Sequence, residues 1–66
     1  MKIIVNGKPE NIAESLSIEG FLGTREINPE QVVVEHNLSI IKRDQFSAIS
    51  LADGDSLEIL QFVGGG

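Results

Sequence analysis

Apolar residues along this chain fall in short clusters separated by Asn, Asp and Gly, a pattern that predicts several short strands and one helix. Lys2-Ile3-Ile4-Val5-Asn6 is β-branched and apolar. Asn6-Gly7 follows at once, the pair a tight hairpin turn favours at its φ > 0 positions. The return strand is expected from about Lys8 to Ala13, on an edge where Pro9 can lack a backbone donor. Leu16-Ser17 reads as a helix start, with Ser17 capping free N–H groups and Leu16 stapling onto Phe21. Ile18, Phe21 and Leu22 share one helical face. Gly20 and Gly23 each weaken that helix by about 1 kcal/mol relative to Ala, so it is expected to end near Arg25, before Asn28-Pro29.

A second strand region is predicted from Gln31 to His36, with Val32-Val33-Val34 β-branched throughout and Asn37 closing it with a turn. Ile40-Ile41 makes a further short strand, and Arg43-Asp44-Gln45-Phe46 a single helical turn. Asp53-Gly54-Asp55 is a turn before the last strand, Ser56 to Gln61. The order β-β-α-β-β-β predicts an α+β fold: a mixed sheet of four to five strands covered on one face by one helix, with the first and last strands adjacent. This is the ubiquitin-like β-grasp arrangement. If Leu57 and Ile59 face the core, alternation turns Glu58, Leu60 and Phe62 outward. Leu60, Phe62 and Glu58 then form a candidate docking patch, extended by Val33 on a neighbouring strand. The alternative is that Phe62 folds back over the sheet edge and covers its own core.

The chain has 66 residues and no cysteine, so a single domain must stand on a well-patterned core without disulfides or a thiolate metal site. Its size leaves no room for an enclosed substrate cavity. Residues 1–61 are read as the domain and 62–66 as a flexible, glycine-rich reactive tail. A net charge of −5 is the wrong sign for holding phosphate backbones, which argues against a nucleic-acid partner. The chain opens directly into a strand pattern with neither an export signal nor a bilayer-length apolar run, so a cytoplasmic protein, not membrane-bound and monomeric when free, is expected. Asp53-Gly54-Asp55 lacks the ligand series and closing Glu of an EF-hand and is read as a plain turn. His36 is read as a solvated strand-end residue, since no cysteine accompanies it to build a metal site. Ser15, Ser17 and Ser50 have no base at a persuasive spacing, so no catalytic residue is assigned.

The glycine run Gly64-Gly65-Gly66, directly after Phe62-Val63, carries the functional signal. Glycines cannot pack a core and are costly to order. A thin arm of this kind can enter a channel too narrow for any residue with a Cβ, and five extended residues from Phe62 reach about 17 Å. The chain resembles the thiamine-biosynthetic sulfur carriers of the ThiS family through Ile3 to Gly7, through Val32 to Asn37, and through Asp53 to Ile59 leading into Phe62-Val63-Gly64-Gly65-Gly66. That resemblance implies that an E1-like adenylating enzyme of the ThiF type uses ATP and magnesium to activate the Gly66 carboxylate. A persulfide donor then supplies sulfur for a thiocarboxylate, which thiazole synthase of the ThiG type consumes. Gly64, Gly65 and Gly66 would thread into the partner's active site. No cofactor is bound by the carrier itself, which is a protein cosubstrate and not an enzyme. The other readings are a molybdopterin synthase small-subunit type of carrier, a ubiquitin-like protein modifier, and a non-reactive β-grasp interaction domain.

Overall fold

A computed structural model describes residues 1–62 of the chain. Strands β1 (Lys2–Val5) and β2 (Lys8–Asn11) form an antiparallel hairpin whose turn residues, Asn6 and Gly7, have φ of 51° and 83°. Both lie in the left-handed region, which Asn and Gly enter with little strain. β2 is shorter than its predicted extent to Ala13 because its partner runs out. Ile12 exchanges backbone bonds with Met1, and Ala13 lies past the end of β1.

The helix α1 (Ile18–Thr24) starts after Ser17, whose side-chain oxygen accepts from the Gly20 N–H at 2.9 Å. The remaining first-turn donors are satisfied from far along the chain, Ile18 N–H by the Ile49 carbonyl and Glu19 N–H by that of Phe46. Every helix start leaves such donors unpaired within the helix, so this loop fixes where α1 sits. Ile18, Phe21 and Leu22 are buried as predicted, and Leu16 packs half-buried against the same core.

At its other end α1 stops before the proline is reached. The Ile27 N–H bonds to the Leu22 carbonyl and the Glu26 N–H to that of Gly23, with Glu26 at φ 57°. This is a Schellman closure, in which the left-handed position is usually glycine. A glutamate there carries Cβ strain and sets a negative charge against the negative end of the helix. Glu26→Gly is therefore expected to stabilise the domain by about 0.5–1 kcal/mol, after allowing for glycine's greater freedom when unfolded. Thermal melting should show a rise of a few degrees; a fall would mean that the Glu26 side chain makes a stabilising contact.

Asn28-Pro29 does more than stop a helix. It begins a short 3₁₀ turn, Pro29–Gln31, capped by the Asn28 side chain accepting from the Glu30 N–H. Strands β3 (Val32–His36) and β4 (Ser39–Ile41) then pair antiparallel, a second 3₁₀ turn covers Arg43–Gln45, and β5 (Ser56–Gln61) closes the sheet. The strand order is β2-β1-β5-β3-β4, with β5 parallel to β1 and antiparallel to β3. The first and last strands lie side by side at the centre of a mixed sheet, which is the predicted β-grasp. Among the described residues α1 is the sole α-helix, and it covers one sheet face over a core of Ile3, Val5, Val34 and Leu57 with Phe21 and Phe46.

Candidate functional site

β5 ends at Gln61, and its alternation separates core from surface as expected. Leu57 is buried and Ile59 half-buried against the core, while Glu58, Leu60 and Phe62 face outward. Leu60 is 62% exposed and Phe62 47% exposed, so Phe62 does not fold back to bury itself over the sheet edge. Val33, 39% exposed, stands directly opposite Leu60 on β3. The four residues proposed from the sequence as a docking patch thus share the sheet face that α1 leaves open.

The exit of β5 is held from both sides. β1 ends at Val5, yet the Asn6 side chain continues its pairing, accepting from the Ile59 N–H at 2.7 Å and donating to the Ile59 carbonyl at 3.3 Å. A carboxamide has a donor and an acceptor in the spacing of a peptide group, so it can stand in for one more residue of strand. On the other side the Phe62 N–H bonds to the Gln31 carbonyl at 3.0 Å. These contacts hold the end of β5 and the Phe62 backbone on the sheet. Residues 63–66, including the tail positions Gly64, Gly65 and Gly66, lie outside the described residues. Reading Asn6 from sequence as a turn former captured its φ but missed its amide; a signal was available in the choice of Asn, which both donates and accepts.

The opposite end of β5 corrects the reading of His36. Its side chain is only 17% exposed and its Nε2 lies 2.7 Å from Asp55 Oδ2, so it is pinned and not solvated. The reason is register: His36 pairs with Leu57 on the inward-facing side, which brings the ring beside the Asp53-Gly54-Asp55 turn. Asp55 also accepts from the Ala52 N–H and the Asn37 side chain, and Asp53 accepts from the Lys2 N–H. The turn is thus knitted to β1 and to the β3–β4 hairpin. Burial alone would raise the Asp55 pKa, but the bonds from His36, the Ala52 amide and Asn37 together hold it below the usual carboxylate value. A carboxylate with a depressed folded pKa contributes stability that is full above its unfolded pKa, near 4, and is lost as pH falls through the folded value. Asp55→Asn should therefore cost about 1–3 kcal/mol near neutral pH, with the difference from wild type shrinking below about pH 4. Denaturation curves across pH check this, and a difference that persists undiminished in acid would assign the loss to packing instead.

Beside the exit, a cleft of about 220 Å³ between α1 and the sheet is lined by Phe21, Ile27, Val32, Ile59 and Gln61, with Arg25 at its wall. That is below the roughly 300–1,000 Å³ usual for small-molecule sites, and it offers no acid–base pair. Arg25 lies over the Phe21 ring and pairs with Glu10 on β2. Among the described residues, no three His, Asp or Glu side chains converge to hold a metal, and no helix is long and apolar enough to cross a membrane. The described residues thus present an open sheet face with exposed Val33, Leu60 and Phe62 beside the anchored end of β5.

Comparison with known proteins agrees with this geometry. The family model ThiS matches residues 3–66. A crystal structure of a thiamine biosynthesis protein (ThiS) from Geobacter metallireducens superposes with a TM-score of 0.86 at 40% identity, over 100% of both chains. The sulfur carrier protein ThiS of Bacillus subtilis is 36% identical over 50 residues, 76% of each chain. A thiazole synthase from Paramagnetospirillum magneticum is 38% identical over 66 residues, all of this chain but 20% of the relative. The chain thus spans about a fifth of the length of the thiazole synthases it matches.

Proposed function

The chain belongs to the ThiS family, and from that premise we propose that it is the sulfur carrier of thiazole formation in thiamine biosynthesis. The observation that carries this reading is the family match, which runs from β1 through the glycine ending and agrees with a sheet that delivers β5 outward beside an exposed apolar face. The protein supplies the reacting group and not the catalyst, acting as a cosubstrate in the cytoplasm as a free monomer. An E1-like adenylating enzyme uses ATP and magnesium to convert the Gly66 carboxylate to an acyl-adenylate. The terminal sulfur of a persulfide donor displaces AMP to give an acyl disulfide, a thiol reductant cleaves its S–S bond and leaves as a disulfide with the donor sulfur, and thiazole synthase consumes the thiocarboxylate so released. The chemistry needs this order because a carboxylate is a poor electrophile with a poor leaving group, whereas AMP departs readily and sulfur is a soft nucleophile.

Thiazole synthase is supported as a partner by the relatives of that name, each containing a segment that matches the whole of this chain. Leu60, Phe62, Val33 and Glu58 are the docking residues in this reading, and Gly64 to Gly66 thread onward. The test is to isolate the protein from its native host and fragment it in the mass spectrometer. A gain of one sulfur for oxygen should fall on the C-terminal glycines. Intact mass is insufficient, since oxidation of Met1 gives nearly the same increment. If neither that mark nor ATP–pyrophosphate exchange with the host's adenylating enzymes is found, a non-reactive β-grasp interaction domain becomes the better reading.

A further inference from the structure

Asn6-Gly7 is the sequence in which an asparagine amide is chemically weakest, and the fold fastens that amide to β5. The residue after an asparagine decides the hazard, because its backbone nitrogen can attack the side-chain Cγ and any side chain it carries obstructs the approach. Gly7 carries none, a Cβ there would meet no atom within 4 Å, and its N–H donates to no protein group among the described residues. The other asparagines are better shielded: Asn11 precedes Ile12, Asn37 precedes Leu38, and Pro29 after Asn28 has no N–H to react. Against this, both polar atoms of the Asn6 amide are engaged. Oδ1 accepts from the Ile59 N–H at 2.7 Å and Nδ2 donates to the Ile59 carbonyl at 3.3 Å. Attack by Gly7 expels Nδ2 and turns Cγ towards the main chain, so both bonds have to open first.

We propose that Asn6-Gly7 is a deamidation site whose rate is set by how often β5 releases the Asn6 amide, and whose product weakens the hold on that strand. The Gly7 nitrogen gives its proton to solvent base and bonds to Asn6 Cγ. The Cγ–Nδ2 bond breaks, Nδ2 takes up a proton and leaves as ammonia, and a five-membered succinimide remains in the chain. Water then opens the ring at either carbonyl. Breaking the new bond to Cγ gives aspartate, and breaking the bond to the main-chain carbonyl carbon of residue 6 gives isoaspartate. No atom changes oxidation state, and water is the sole co-reactant. Either product has a carboxylate, which accepts but cannot donate, so the bond to the Ile59 carbonyl is lost and two oxygens face one another. In the isoaspartyl form the main chain runs through the former side chain. The turn gains one backbone atom, and the φ angles of 51° and 83° that fit the β1–β2 hairpin no longer do so. The site goes beyond the sulfur-carrier reading and does not depend on it, but in a carrier the change would fall on the strand whose sequence runs on into the reactive glycines.

The experiment incubates the full chain at one pH and temperature, folded in buffer and unfolded in guanidinium chloride, and follows the mass gain of NH2 replaced by OH, placed on residue 6 by fragmentation. Ion exchange separates the products, which carry one more negative charge. The folded chain is expected to convert about 10-fold or more slowly than the unfolded one, the factor for two hydrogen bonds that must open together. The Ile59 N–H has the Asn6 side chain as its partner, so its protection from hydrogen exchange should be of the same order, since one opening exposes both. In the purified isoaspartyl form that protection is expected to fall by about 10-fold or more. Equal conversion of folded and unfolded chains overturns the protective clamp. Conversion no faster than global unfolding allows, as read from the slowest-exchanging core amides, overturns gating by β5. Unchanged Ile59 protection in the isoaspartyl form overturns the weakened strand end. Each of these results leaves the carrier reading standing, and absence of the Gly66 thiocarboxylate in the native host leaves the deamidation site standing.

Discussion

Gly65→Val is expected to slow adenylation of the chain by about 100-fold or more, a barrier increase of about 3 kcal/mol, while leaving the domain folded. In the proposed function the glycines pass through a channel shaped for bare backbone, so a β-branched side chain adds volume where none is tolerated. It also narrows the backbone's choice, since valine avoids the left-handed conformations that glycine enters freely. The fold should not respond, because among the described residues the buried core side chains lie between Ile3 and Leu57. Pyrophosphate exchange with the host's adenylating enzyme measures the first effect and a thermal melt the second. Adenylation of the variant at the wild-type rate would sink the channel argument. Loss of the fold would show that the tail packs on the domain.

Phe46→Ala should destabilise the domain by about 3–5 kcal/mol, which for a small chain is most of its stability. Phe46 is 2% exposed and lies just past the 3₁₀ turn Arg43–Gln45, in a stretch with no strand or helix of its own. Its ring fills the core, and its carbonyl accepts from Glu19 at the start of α1. Truncation leaves a cavity and loosens the segment that seats the helix. At this size each kcal/mol shifts Tm by about 4–8 °C, so a fall of roughly 15–30 °C is expected by circular dichroism. A shift below about 5 °C would mean that neighbouring side chains collapse into the space. Partner binding by the variant should fail at 37 °C and recover on cooling, because the docking face is intact whenever the sheet is.

Much of the fold was legible because its signals are local. Asn6-Gly7 specifies a hairpin through the backbone angles those residues accept, Ser17 specifies a helix start through one side-chain bond, and the Val32 to Val34 run and the Leu57/Ile59 alternation specify strands and their faces. The order of those elements is enough to put β1 beside β5. The glycine ending and the outward facing of Leu60 and Phe62 are equally local signals, so the proposed reactive end and the apolar positions of the proposed docking patch follow from residue type and strand alternation alone.

What only the tertiary structure decided involves residues distant in sequence, whose meeting depends on register. The sequence makes His36 a lone strand-end residue; pairing β3 with β5 carries it inward onto Asp55. Asn6 reads as a turn residue until β5 is laid alongside and Ile59 takes both ends of its amide. Glu35 and Glu58 are unremarkable charges in sequence and become an opposed pair only across the β3–β5 ladder. Phe46 sits in an irregular stretch where no periodicity marks it as core. The physical reason is common to all four: local conformation follows from a residue and its near neighbours, whereas burial, opposition and hydrogen-bond partners follow from which strands lie together and in what register, and a shift of one residue exchanges the faces.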